Sequence, residues 1–141
     1  MSLLQWDDEF ETGIAAADHE HGKLVDLVNS VYDRWKRDAD RGRERFFDDL
    51  FNIFVSHFDF ENRLMDGTGY ADRDAHARDH ERVLRQLRAI VARADEPGYD
   101  LKAALASCLQ HWLATHIRHH DAPMYKALGS DRDGTPSIGA H

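Results

Sequence analysis

Four apolar stripes at helical spacing constrain the fold of this 141-residue chain more than any other sequence feature. In each stripe, apolar residues recur every three or four positions, which is the period of an α-helix that buries one side. Short segments with turn-forming glycine or proline separate the stripes, and such loops favour antiparallel neighbours. The pattern predicts an all-α chain, an antiparallel up-down-up-down four-helix bundle. Helix A is expected over about 18–37, helix B from about Phe46 to near Asp66, helix C with a buried face over 83–91, and helix D from Leu101 until Pro123.

Aspartates mark where these helices are expected to begin, because their side chains accept hydrogen bonds from the free N–H groups of a first turn. Asp18 is the predicted N-cap of helix A and Asp100 that of helix D, while helix C has two candidates, Asp72 and Asp74. Pro123 is expected to disturb the end of helix D, since its ring clashes with the preceding turn.

A single domain accounts for the length of the chain. We expect residues 1–128 to form the bundle domain, beginning with an N-terminal arm over 1–17. Residues 129–141 are rich in glycine, serine, aspartate and proline, which predicts a flexible C-terminal tail. The arm is expected to pack on the bundle through Trp6, Phe10 and Ile14.

Charge and cysteine content exclude several classes of function. Eighteen basic and 26 acidic residues give a formal net charge of -8 without any basic run, so neither nucleic acid nor an anionic membrane surface is an expected partner. A stretch of about 18 apolar residues, which membrane insertion would need, is missing. Cys108 is the sole cysteine, and the acidic first ten residues do not resemble a signal peptide. These features predict a cytoplasmic protein.

Histidine is over-represented, with ten residues in the chain, and three spaced pairs involve it. Residues four apart share a helical face, so such a pair offers two metal ligands that point the same way. A lone pair of this kind is usually part of a solvated surface, but these continue the apolar stripes and are expected to face inward. The two pairs with four-residue spacing are His57-x-x-x-Glu61 and His76-x-x-x-His80, and the third pair, His116-x-x-x-x-Asp121, is five apart.

The predicted topology brings these pairs to one end of the bundle, where His21 near the start of helix A joins them. Polar groups buried there without partners would each cost a few kcal/mol, whereas a metal ion satisfies them. Five imidazoles and two carboxylates exceed what one six-coordinate ion accepts, so we expect two ions bridged by Glu61, Asp121 and a solvent oxygen. Imidazole with carboxylate and no buried thiolate favours iron or zinc, and Cys108 is expected to pack in the core.

Spacing does not decide which residue of helix D is the second ligand beside His116. Five residues turn an ideal α-helix by about 140°, so spacing alone would pair His116 with His120 rather than with Asp121. Pro123 gives a reason for the last turn to deviate from ideal geometry. The remaining histidines are expected to be exposed and uncommitted: His19, His111, His119, His120 and His141.

Together these residues resemble the hemerythrin family, with matching motifs in order over 6–121. The matches are Trp6-x-x-x-Phe10-x-x-Gly13, Asp18-x-x-His21 and the three pairs above. The resemblance selects Asp121 over His120, and it implies two irons in a four-helix bundle. It assigns His76, His80 and His116 to a coordinatively full iron and His21 and His57 to an open one, with Glu61 and Asp121 bridging.

The resemblance also implies a function, which is reversible dioxygen binding for storage, delivery or buffering, without enzymatic turnover. Neutral histidines outnumber carboxylates, which favours holding oxygen over cleaving it. Two alternatives stay open, a di-iron redox enzyme (peroxidase, oxidase or nitric oxide reductase) and an iron or zinc store. An oxygen-accepting protein is a further candidate partner. The residues that resemble the apolar oxygen pocket of the family are Phe58, Trp112, Leu113 and Ile117.

Overall fold

A computed structural model of the chain describes residues 2–38 and 42–130. Within these ranges all regular structure is helical, and the all-α four-helix prediction is confirmed. Helix α1 packs on α2, α2 on α3, and α3 on α4, so chain neighbours are also neighbours in space. The long helices are α1 (Ala15–Arg37), α2 (Arg43–Thr68), α3 (Arg73–Ala92) and α4 (Leu101–His116).

The helical chain continues past Pro123, so the predicted end there is wrong, whereas the expected deviation from ideal geometry in the turn before Pro123 is present. After α4 the chain widens into a π-helical segment, Ile117–Asp121, and continues as helix α5, Ala122–Ser130. The Ala122 N–H donates to the Ile117 carbonyl five residues earlier, which is the π spacing. Pro123 thus falls in the first turn of α5, where a missing N–H is tolerated.

Helix α1 begins three residues before its predicted cap. Ile14 is at the N-cap position, and the Asp18 carboxylate instead accepts hydrogen bonds from the backbone N–H groups of Thr12 and Gly13 at 2.8 and 3.2 Å. Asp18 therefore ties the arm to the first turn. The prediction for α4 is confirmed, because Asp100 accepts a hydrogen bond from the Ala103 N–H at 3.0 Å.

The N-terminal arm packs on the bundle, though not through all the residues expected. Phe10 is fully buried, whereas Trp6 is 40% exposed and touches Phe10 edge-on, with the ring centroids 5.4 Å apart. Ile14 packs as expected, against a cluster that includes Ala17 and Tyr125. Leu3 and Leu4 add further buried contacts, and both backbone polar groups of Leu4 bond to the Asn29 side chain.

Only the first two residues of the predicted tail are described, Gly129 and Ser130, and they end α5. The rest of the predicted tail, residues 131–141, lies outside the described residues. Among the described residues, no helix combines the length and apolar character needed to cross a membrane.

Candidate metal centre

The polar side chains that the bundle buries lie together at one end, between α1, α2, α3 and the α4–α5 junction. Six of the seven predicted ligands are at most 2% exposed, and the seventh, His57, has an 11% exposed side chain. Asp79 is a further buried acid that the sequence analysis did not single out, at 8% exposed. The six most buried ligands are His21, Glu61, His76, His80, His116 and Asp121.

Three histidines form one side of the centre, called here the three-histidine side: His76 and His80 from α3 and His116 from α4. The His116 Nε2 atom lies 3.1 Å from that of His76 and 3.2 Å from that of His80. Glu61 Oε1 lies 3.1 and 2.9 Å from the Nε2 atoms of His76 and His80. Asp121 Oδ1 completes this group, at 2.8 Å from His76 Nε2 and 2.9 Å from His116 Nε2.

Two histidines form the other side, called the two-histidine side: His21 from α1 and His57 from α2. His21 Nε2 lies 2.9 Å from Asp121 Oδ2, and His57 Nε2 lies 3.2 Å from Glu61 Oε2. Their ring centroids are 6.1 Å apart. Each carboxylate therefore directs one oxygen to each side of the centre, which is the arrangement of a bridge between two ions.

The π-helical segment is what brings Asp121 to this centre. One extra residue in the turn between Ile117 and Asp121 rotates the carboxylate back toward the face that carries His116. His120, the ligand favoured by ideal α spacing, lies beside the cluster instead, with its ring stacked 5.2 Å from that of His116. The expectation that His120 is exposed is wrong, because it is half-buried, and burial lowers its pKa.

The other spare histidines are placed as expected where the structure describes them. His19, His111 and His119 are exposed. The prediction for His141 lies outside the described residues.

The arrangement of the nitrogen and oxygen atoms fits coordination to metal ions better than hydrogen bonding among the side chains. Two ligand atoms at right angles around an ion, each about 2.1 Å from it, are about 3.0 Å apart, close to the nitrogen–oxygen distances observed here. Glu61 Oε2 and Asp121 Oδ1 are buried and receive no hydrogen bond of acceptable geometry from any described residue. Buried acceptors of this kind are expensive unless a cation satisfies them. The cluster thus fits a buried metal cation.

Electrostatics keep both carboxylates ionised. Burial alone would raise the pKa of Glu61, but His57 and His116 hold it well below its usual value. The pKa of Asp121 is likewise lowered, since His116 and His21 outweigh burial and the nearby Glu61. Conversely, Asp121 and Asp79 overcome burial and raise the pKa of His116 well above its usual value. The surrounding histidines therefore favour the ionised form of both carboxylates.

Asp79 lies behind the three-histidine side, on α3. Its Oδ2 accepts hydrogen bonds from His116 Nδ1 at 2.6 Å and from the Trp112 indole N–H at 3.1 Å, and Arg82 binds Oδ1. These bonds leave the carboxylate satisfied, so Asp79 is a partner of a ligand rather than a ligand. Its position three residues after His76, on the same helical face, was the signal that could have found it.

The four residues expected to form an apolar pocket are all buried. The Phe58 ring stacks on that of His80 with centroids 3.9 Å apart, and the Trp112 ring stacks on that of His116 at 4.4 Å. Leu113 and Ile117 are each 1% exposed, and all four residues belong to one core cluster. The three-histidine side thus borders an apolar, aromatic core.

Fold and site together define a class, helical-bundle proteins with a buried cation-binding centre. Residues 12–128 match the family model of the hemerythrin HHE cation binding domain. The chain belongs to the hemerythrin family.

Curated relatives agree with this assignment over most of the chain. A bacteriohemerythrin of Pseudomonas aeruginosa strain LESB58 is 32% identical, covering 91% of this chain and 83% of the relative. Bacteriohemerythrins of Stenotrophomonas maltophilia and Methylococcus capsulatus are 30% and 26% identical, covering 86% and 83% of this chain and 78% and 90% of the relatives. No solved structure matches the chain significantly.

Proposed function

We propose that this chain holds two iron ions and binds dioxygen reversibly, as an oxygen-storing, delivering or buffering protein rather than an enzyme. The observation that carries the proposal is the division of the ligand atoms: three histidines on one side, two on the other, and two carboxylates that each direct one oxygen to each side. When bound, two ferrous ions supply the electrons that dioxygen takes up. The names of the relatives support the same class of protein.

In this proposal the two sides would hold their ions with different numbers of ligands. Glu61, Asp121 and one solvent oxygen would be shared, and three histidines would complete the ligands of one ion. The side of His21 and His57, with one histidine fewer, would leave a position for dioxygen. Imidazole and carboxylate donors suit iron, and Cys108 is turned to Gln86, with Sγ 3.7 Å from Oε1.

The surroundings support binding without further reaction. Phe58, Trp112, Leu113 and Ile117 are apolar or aromatic and almost fully buried. Phe58 also lies beside His57 on the two-histidine side, with ring centroids 6.2 Å apart. In the proposal this apolar cluster keeps water and anions from displacing the bound gas, which would otherwise leave an oxidised centre. Five neutral imidazoles against two carboxylates also give less stabilisation to highly oxidised iron than the carboxylate-rich di-iron bundles do.

Cellular location and partners follow as part of the same proposal. A single cysteine, Cys108, fits a reducing compartment, so we propose the cytoplasm. Dioxygen is the proposed ligand, and an oxygen-accepting protein is the proposed partner.

Reversibility is the test that separates this function from its alternatives. Iron-loaded protein, reduced without oxygen, should develop a new absorption band on exposure to air and lose it again under argon, over repeated cycles. A di-iron peroxidase, oxidase or nitric oxide reductase would instead consume its reductant continuously when the substrate is supplied. A metal store would show no oxygen-dependent band, and either result would contradict the proposal.

A further inference from the structure

One carboxylate, that of Asp79, holds a predicted metal ligand and a predicted pocket residue at the same time. The His116 ring and the Trp112 ring are stacked 4.4 Å apart at an interplanar angle of 18°. Both donate a hydrogen bond to the same atom, Asp79 Oδ2, at 2.6 and 3.1 Å. The two rings therefore cannot shift independently while this atom stays in place.

The other deeply buried histidines lack such support. The Nδ1 atoms of His21, His76 and His80 are buried and have no hydrogen-bond partner among the described residues. Metal-bound histidine usually donates its second ring N–H to a carboxylate, a carbonyl or water, which fixes the ring and strengthens it as a ligand. Within this set of four, only His116 has a protein carboxylate in that role.

Asp79 is itself held in place from outside. The Arg82 guanidinium, one turn further along α3, binds Asp79 Oδ1 through Nε at 3.0 Å and through a terminal nitrogen at 2.6 Å. The Arg82 side chain is 49% exposed, whereas that of Asp79 is 8% exposed. A surface arginine thus orients a buried acid, which orients a ligand.

We infer that Asp79 is a positioning residue that sets the metal affinity of the three-histidine side and locks Trp112 against His116. The inference rests on the proposed metal centre and adds a residue that the ligand motifs do not contain. Loss of an outer partner of this kind typically weakens metal binding by about 10- to 100-fold. We expect Asp79→Asn, which keeps the shape and removes the charge, to lower affinity within that range.

The experiment titrates metal-free protein with Zn²⁺ against a competing chelator, and records the melting temperature of the same metal-free samples. Glu81→Gln is the matched control, because Glu81 is exposed, is on the same helix two residues away, and loses the same charge. Arg82→Gln is a second variant on the surface, expected to fold normally and to give a smaller loss of affinity than Asp79→Asn.

Equal affinities for Asp79→Asn and Glu81→Gln, even with a lowered melting temperature, would overturn the inference and leave a merely structural role. If Asp79→Asn does not fold, Arg82→Gln decides, and an affinity equal to that of Glu81→Gln would overturn the inference. Failure of the parent protein to bind any Zn²⁺ would instead contradict the proposed metal centre itself. The two failures are thereby distinguished.

Discussion

The two sides of the centre share their carboxylates but differ in how the protein encloses them. On the three-histidine side every ligand is at most 2% exposed, the Nε2 atoms approach within 3.2 Å, and aromatic rings stack on two of the imidazoles. On the two-histidine side the His57 side chain is 11% exposed. It lies at a groove of about 410 Å³ between α1 and α2, lined in part by Leu27 and Ile53.

This difference indicates that the two sides of the centre have different roles. A side whose three histidines are all at most 2% exposed suits an ion that stays bound, while a side with one fewer histidine and a partly exposed His57 suits an ion that exchanges ligands. Because Glu61 and Asp121 contact both sides, an ion bound at the three-histidine side would hold their other oxygens in position for the two-histidine side. Substitutions at one side, or at a shared carboxylate, separate these roles.

The largest effect is expected from removing a carboxylate that both sides share. Glu61→Ala deletes a carboxylate that contacts both sides, so we expect loss of both ions and iron content close to zero after iron-replete expression. Elemental analysis per chain measures this. Asp59→Ala, an exposed acid on the same helix, should retain the parent's iron. One ion retained by Glu61→Ala would show that the carboxylate does not bridge.

A smaller loss is expected from the two-histidine side alone. His21→Ala removes one of its two imidazoles and leaves the other side complete, so we predict about half of the parent's iron content. His19→Ala is the matched control, since His19 is exposed and two residues away. Iron content as low as in Glu61→Ala would contradict the independence of the two sides.

The pocket variant should spare both ions. Leu113 is 1% exposed and three residues before His116, and Leu113→Ala opens a cavity where solvent can enter. We expect the oxygenated protein to decay faster at unchanged iron content, with a cost of about 2–5 kcal/mol in the free energy of unfolding.

Leu109→Ala controls for stability, because Leu109 is equally buried one turn earlier on α4. Comparable destabilisation is expected in both variants, with faster decay only in Leu113→Ala. Equal decay rates for the two variants would make Leu113 an ordinary core residue.

The mildest effect concerns the groove at His57. Leu27 is 50% exposed at its edge, and Leu27→Trp should fill part of it and slow metal release to a chelator several-fold without changing metal content. Val55→Trp narrows the groove of about 550 Å³ between α2 and α3, which His80 lines, and its release rate should match the parent if metal leaves past His57 alone. Equal slowing in both variants would show that His57 does not mark the only exit.

The sequence predicts the four helices and the convergence of His21, His57, Glu61, His76 and His80, because these depend only on helical period and chain order. Spacing could not predict that Asp121 reaches the centre, because a π-helical turn departs from the α-helical period. Only the resemblance to the hemerythrin motif selected Asp121 over His120. Asp79 was missed for a different reason. Its spacing from His76 places it on the ligand-bearing face of α3, but its hydrogen-bond partners, Trp112 and His116, are side chains of α4 that no pattern within α3 specifies.

Oxygen uptake measured against iron in the same sample is the sharpest test of reversible binding. We expect the reduced protein to take up one dioxygen per two irons and to release it under vacuum with the iron still bound. Continuing oxygen consumption beyond this ratio, or uptake that cannot be reversed, would contradict a centre built to bind oxygen and return it.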